Sequence, residues 1–245
     1  MQTQTQTQIQ TQIQTHATNN RSAKINLFQY GKREERLNFI SHLMGLFLSI
    51  ACSIFLIVQV IARDIEINKS VFFFNISLFS CLVYSLTAML LFFSSASYHY
   101  VTDAKKKYWF KLMDHVSIYM FIAGTYTPIV LIGMKTKLSF TLLAVVWSLV
   151  FFGIIYELIF LGKNKYVSTA CYLILGNISL FLINEMIATL TKNALTYLLV
   201  GGVFYSVGSI FYVLKKIPYT HMIWHFFVVA GFIFHFLSVY SCLSR

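Results

Sequence analysis

Two histidines, His221 and His225, open the last apolar run of the chain, in "YTHMIWHFFVVAGF", residues 219–232. Four residues is about one helical turn, so both imidazoles share a helix face. Helical His pairs at this spacing bind metal in zinc peptidases. Neutral imidazoles suit zinc, and three protein ligands with a fourth position left for water make the catalytic pattern. A third imidazole is at hand in "FSSASYHYVTD", where His99 follows Ser95 by one turn on one face. Asp114, in "WFKLMDHVSIY", is a candidate to accept a hydrogen bond from a metal water or to act as general base. Ser95 is a candidate donor to a substrate oxygen. The same histidines also read as interfacial imidazoles satisfied by water, and spacing alone leaves both readings open.

The elements that must position these residues are membrane helices. The chain has 245 residues, 58% hydrophobic and 11% charged, with 24 Phe, 15 Tyr and 2 Pro. Soluble domains run nearer 45–50% apolar and roughly 25% charged. So few charges cannot solvate a globular surface, and lipid is the implied solvent. Seven apolar runs of spanning length follow, about 39–62, 71–97, 112–134, 138–161, 166–190, 194–214 and 219–242. Each clears the ~20 residues a helix needs to cross hydrocarbon. Backbone groups in lipid must be satisfied within the segment, so these runs are helices and the fold is an all-α seven-transmembrane bundle. Only "KTK" separates runs three and four, which demands a tight hairpin. The uncharged Gln/Thr repeat at the start has no basic region followed by an apolar core, so it is no signal peptide. Residues 1–24 are predicted to form a disordered tail, with no role for His16, and residues 25–245 the membrane domain.

The formal net charge is +11, but the basic residues sit in short clusters between apolar runs. They read as topology determinants and not as a nucleic-acid surface. With the N-terminus in the cytoplasm, inside segments hold 13 Lys and Arg and outside segments hold 6. The positive-inside rule therefore predicts a cytoplasmic N-terminus and an outside C-terminus. "INLFQYGKREERLN" is then expected at the cytoplasmic interface. In this topology His99, Asp114, His221 and His225 share one membrane layer, with Glu35, Asn38 and His42 from the first span. Intramembrane ionisable groups cost roughly 2.5–3.5 kcal/mol on insertion scales, so they face inward and find partners.

Other polar residues are given lesser roles. His115 points ~100° away from Asp114 and is assigned to packing or the interface. His235 returns to the face of His221 but ~21 Å deeper, too far for one ion. Glu157 and Glu185 are expected at the two interfaces. His42 is placed beside the site or as a cap of the first span. Gly201, Gly202 and Gly208 read as close helix packing. Cys52, Cys81, Cys171 and Cys242 are far apart, without a C-x-x-C, and read as small buried apolar residues.

Four stretches carry a family resemblance: "EERLNFISHLMG", "SSASYHY", "FKLMDHVSIYMFIAGTYTPI" and "HMIWHFFVVAGFIFHF". In that order and on those spans, the chain resembles the bacterial hemolysin III proteins, within the progestin and adipoQ receptor family. The resemblance covers nearly everything after residue 30. It implies a seven-helix fold in the bacterial plasma membrane with a cytoplasmic-side zinc site. It assigns the zinc ligands to His99, His221 and His225, the serine of the S-x-x-x-H motif to Ser95 and the aspartate to Asp114. The relatives include adiponectin receptors, and a distant similarity to alkaline ceramidases implies hydrolysis of lipid amides. No hormone-binding ectodomain is expected in this chain.

Three functions follow as expectations. The first is a zinc-dependent hydrolase acting on an amide or ester in a membrane lipid, with a role in membrane lipid or energetic homeostasis. Asp114 would deprotonate or orient water and Ser95 would help hold the oxyanion. The second is a pore or channel, as the hemolysin name implies, with polar Thr125, Tyr126 and Thr127 in the third span. The third is a sensor in which zinc ties the spans together. Membrane lipids are the expected partners, and no nucleic acid.

Overall fold

The computed structural model describes Leu27 and residues 30–67, 71–214 and 217–244. The Gln/Thr tail expected over 1–24 lies outside the described residues. Everything described is helix or short connection, with no strand among the described residues. In chain order the helices are α1 (Lys32–Ile67), α2 (Val71–Tyr100), α3 (Ala104–Pro128), α4 (Lys137–Phe160), α5 (Lys165–Asn177), α6 (Ile183–Thr189), α7 (Lys192–Val213) and α8 (Thr220–Leu243). A π-helical turn, Ile129–Met134, extends α3, and a 3-10 turn, Ile178–Leu182, joins α5 to α6. Taken with these turns, seven segments are long and apolar enough to cross a membrane. They coincide with the seven apolar runs to within a few residues, except that α1 begins well before residue 39 and α3 well before residue 112. Part of the segment expected to lie along the interface is therefore the first turns of α1.

The helix starts are fixed by side chains that satisfy N–H groups which helix geometry leaves without partners. Asp103 accepts from the Lys106 N–H at the head of α3. Asn164 accepts from Tyr166 and Val167 at α5, and Thr191 from Ala194 at α7. At α4 the cap is reciprocal: Thr136 accepts from the Ser139 N–H, and Ser139 accepts from the Thr136 N–H, each at 3.1 Å. Lys135, at φ 58°, turns the chain into that cap. The two residues Lys135 and Thr136 thus complete the tight hairpin that the sequence demands.

The π-extended α3 is the central element. Within its most apolar window 72% of residues are buried, against at most 44% in any other span. An aromatic cluster locks it to α2 and α8. Phe232 lies 5.4 Å from Phe92 and 6.2 Å from Phe121, with Tyr84 closing the group. Aromatic pairs at these separations add about 0.5–1.5 kcal/mol each beyond area burial. On the outside, large apolar side chains such as Phe47, Phe151, Phe152 and Phe181 are exposed, as lipid-facing residues should be. None of the four cysteines forms a disulfide among the described residues; Cys81 and Cys242 are buried and the other two half-buried.

Glycine sets the distance between α7 and α8. A Cβ on Gly201 would stand 2.2 Å from the His235 ring and 3.2 Å from the Gly231 carbonyl. One on Gly208 would meet Phe227 and Trp224. Gly202 differs from the packing role expected of it: a Cβ there meets nothing within 4 Å. This gives an internally controlled prediction. Gly201→Ala should cost about 1–3 kcal/mol by overpacking and lower the Tm in detergent. Gly202→Ala should leave the Tm unchanged or raise it, since alanine is the better helix former. Equal behaviour of the two variants would contradict the α7–α8 packing described here.

Candidate metal centre

The ends of four helices meet at one end of the bundle. The last turn of α2 carries His99, with Ser95 one turn earlier. The first turns of α8 carry His221 and His225. The first turns of α1 bring Glu35, Asn38, Ser41 and His42, and α3 brings Lys107 and Asp114. Tyr219, in the left-handed region at φ 64°, starts α8. Its N–H donates to Glu34 Oε1 of α1 at 3.0 Å, which holds this conformation and docks the start of the last helix on the start of the first.

The three histidines come together and are all buried. His221 Nε2 lies 3.2 Å from His99 Nε2 and 3.1 Å from His225 Nε2. One ligand atom from each falls within 4.8 Å of the others. Tetrahedral zinc with Zn–N of about 2.0–2.1 Å separates its nitrogens by about 3.3–3.4 Å, so the spacing fits a single small cation.

The proton positions support the same fit. His99 Nδ1 lies 2.6 Å from Glu35 Oε2, and a carboxylate there only accepts, so the ring proton sits on Nδ1. His225 Nδ1 lies 2.8 Å from Ser41 Oγ and 3.2 Å from the Asn38 carbonyl. Ser41 donates to that same carbonyl at 2.8 Å, so its oxygen accepts from His225 Nδ1. Both rings therefore turn an unprotonated Nε2 toward His221, as metal-bound histidines do with their second nitrogen tied to an acceptor.

Glu35 is itself held. Its Oε1 pairs with Lys107 Nζ at 3.1 Å, and Lys107 also donates to the Tyr98 carbonyl at 2.8 Å. Lys107, one of the basic residues read as topology determinants, is 2% exposed and so packs inside the bundle. Above the site, the Tyr30 ring stacks on His221 at 4.9 Å, and Tyr98 donates to the Leu27 carbonyl. Burial holds the Tyr30 phenol well above its ordinary pKa, so it caps the histidines as a neutral group. The residues just before and at the start of α1 thus form a roof over the cluster.

Asp114 is not one of the clustered ligands. It lies in the wall of a cavity of about 430 Å³ that opens onto His221 and His225 and is also lined by Ser95. The rest of that cavity is largely apolar. His42 also lines it and stacks on His225, ring centroids 3.5 Å apart at 18°. His235 lines the same cavity away from the clustered histidines. The interfacial position expected of Glu157 is corrected. It is fully buried and pairs with His115 Nδ1 at 3.1 Å, while Tyr172 donates to its other oxygen. His115 is accordingly packed, as expected, but against the Glu157 carboxylate.

Sequence reasoning put Glu35 in the layer of the histidines without a partner, counted Lys107 only as a topology determinant, and gave no role to Ser41 or Tyr30. A signal for Glu35 existed: Glu35, Asn38 and His42 follow at steps of three and four, one helical stripe. Nothing in the run of three lysines distinguished the buried Lys107 from its neighbours.

The family model described as Haemolysin-III related matches residues 30–236. The chain is 38% identical over 199 residues to the hemolysin-3 homolog of Bacillus subtilis, covering 81% of this chain and 89% of that protein. It is 37% identical over 207 residues to hemolysin-3 of Bacillus cereus, covering 84% and 90%. A more distant similarity, 28% over 169 residues, is to the human monocyte to macrophage differentiation factor, covering 66% and 70%. The chain belongs to the haemolysin-III-related family, and with its seven apolar helices it is a multi-pass protein of the cell membrane.

Metal analysis of detergent-purified protein tests the donor set. One zinc per chain is expected, none in His225→Ala. Glu35→Gln should retain the site with affinity lowered about 10–100-fold, the usual effect of losing an outer carboxylate. Unchanged affinity in Glu35→Gln would remove Glu35 from the site.

Proposed function

We propose that this membrane protein is a zinc-dependent hydrolase of an amide or ester bond in a membrane lipid, serving membrane lipid homeostasis. The observation that carries this is the apolar cavity of about 430 Å³ whose polar end is walled by His221, His225, Ser95 and Asp114. Such a volume suits one lipid-sized ligand. His99, His221 and His225 would hold the ion, which when bound polarises a carbonyl and acidifies water. Asp114 is the base: its carboxylate takes the proton of the attacking water and returns one to the leaving nitrogen or oxygen. The products are then a fatty acid and an amine or alcohol. Ser95 lines the same cavity as Asp114 and would orient its carboxylate, or help hold the oxyanion.

A structural metal is the second reading. It is favoured by the links that Glu35, Ser41 and Lys107 make from α1 and α3 to the histidines of α2 and α8. A pore is disfavoured by the polar residues that suggested it. Thr125 and Thr127 donate to the Phe121 and Ala123 carbonyls of their own helix, and Tyr126 to Leu175 and Gly176.

Turnover of lipid amides and esters by zinc-loaded protein separates the readings. Asp114→Asn should keep its zinc and lose about 10²–10⁴-fold in kcat. Full activity in that variant, or none in wild type with a large fall in Tm on chelation, leaves only the structural reading. The proposed orientation places the histidines toward the cytoplasm. A reporter enzyme that works only outside the cytoplasm should be active when fused after Arg245 and inactive at the N-terminus; the opposite pattern reverses the topology.

A further inference from the structure

We propose that His42 is a ligand-contacting residue, binding through a ring nitrogen the polar head of the lipid that occupies the cavity. The inference rests on the cavity holding a lipid, as put forward above, and not on catalysis.

His42 is 3% exposed, and neither ring nitrogen has a hydrogen-bond partner. A neutral imidazole carries one donor and one acceptor. Leaving both unmade in a buried place is costly, and intramembrane polar groups are retained where something pairs with them. The ring is clamped between His225, stacked at 3.5 Å, and the edge of Phe92 at 5.3 Å. Gly45, one turn along α1, lets Phe92 approach: a Cβ there would stand 2.5 Å from its ring. His42 is thus held in place by packing, not by hydrogen bonds.

Its orientation argues against a fourth metal ligand. A metal on His225 Nε2 lies near the plane of that ring, whereas the nitrogens of His42 lie in a nearly parallel plane one stacking distance away. His42 stands outside the clustered set. What its ring does line is the cavity, at the end shared with Ser95, Asp114, His221 and His225. Beyond that end the walls are mostly apolar, with Phe121, Val130, Leu142 and Val228, and carry scattered polar groups such as Thr125, Asn177 and His235. The complementary occupant has a hydrogen-bonding head and a long apolar tail: a single-chain lipid amide or ester, with a carbonyl, amide or hydroxyl group at His42.

Two probes separate head from tail: N-palmitoylethanolamine and hexadecane, each measured for equilibrium binding to zinc-loaded protein. His42→Phe keeps a flat ring to stack on His225 and removes both nitrogens. It should weaken binding of the amide roughly tenfold, leave hexadecane unchanged and keep one zinc per chain. His42→Gln, which restores a donor and an acceptor, should recover most of the loss. Unchanged amide binding in His42→Phe overturns the proposal, as does an equal loss for both probes, which would mean altered cavity shape. Loss of zinc in His42→Phe overturns it too, since His42 would then act through the metal. Failure of wild type to bind either probe defeats both this inference and the lipid reading. Because no turnover is measured, failure of the hydrolase assignment alone leaves this inference in force.

Discussion

Imidazole nitrogens with bare lone pairs, brought within about 3 Å of one another, repel unless a cation or a proton stands between them. In this chain His99 and His225 each have the ring proton drawn to the far nitrogen, by Glu35 and by the Ser41–Asn38 pair. Their near nitrogens then face His221 with nothing of their own to donate. In a site of low effective dielectric that repulsion is strong. The surrounding structure is organised to impose it: an acidic residue on α1 fixed by a buried lysine on α3, a serine on α1 fixed by its own helix, and an aromatic roof. A cation at the centre, or a proton on His221 Nε2 donated to one of its neighbours, relieves that repulsion.

The rest of the bundle serves to hold four helix ends at one depth. α3 runs through the middle, and aromatic contacts from α2 and α8 converge on Phe121. Glycines let helices approach where that depth must be kept. Gly124 is one case, since a Cβ there would stand 2.0 Å from the Thr87 hydroxyl of α2. The outer helices α4, α5 and α7 give mainly apolar surface to lipid. They also wall the cavity, with Leu142 from α4, Tyr172 from α5 and Tyr212 from α7.

The seven spans were legible because their signal, long apolar runs between charged punctuation, depends on composition alone. The three histidines and Asp114 were legible because topology turns sequence order into depth, and depth brought them to one layer. The outer partners were not. Whether Glu35 meets His99 depends on the rotation of α1 about its own axis, which a helix that is apolar on most sides does not declare. Whether Lys107 or Lys106 turns inward depends on where Asp103 starts α3, a difference of a single residue. Glu157 was misplaced for a related reason: its distance from the span end suggested the interface, and only the packing of α4 against α3 and α5 reveals its partner His115. Gly202 was grouped with its neighbour although adjacent helix positions face directions ~100° apart.

Tyr219 has a bearing on biogenesis. Membrane chains are made from the N-terminus onward, so α1, α2 and α3 exist before α8 does. Until then Glu35, His99 and Lys107 wait with part of their site missing. The final helix brings two of the three histidines, and the contact of its first backbone N–H with Glu34 of α1 closes the assembly like a latch. The three-histidine cluster is therefore a record of complete synthesis: a chain stopped short of its seventh span would carry only one of the three.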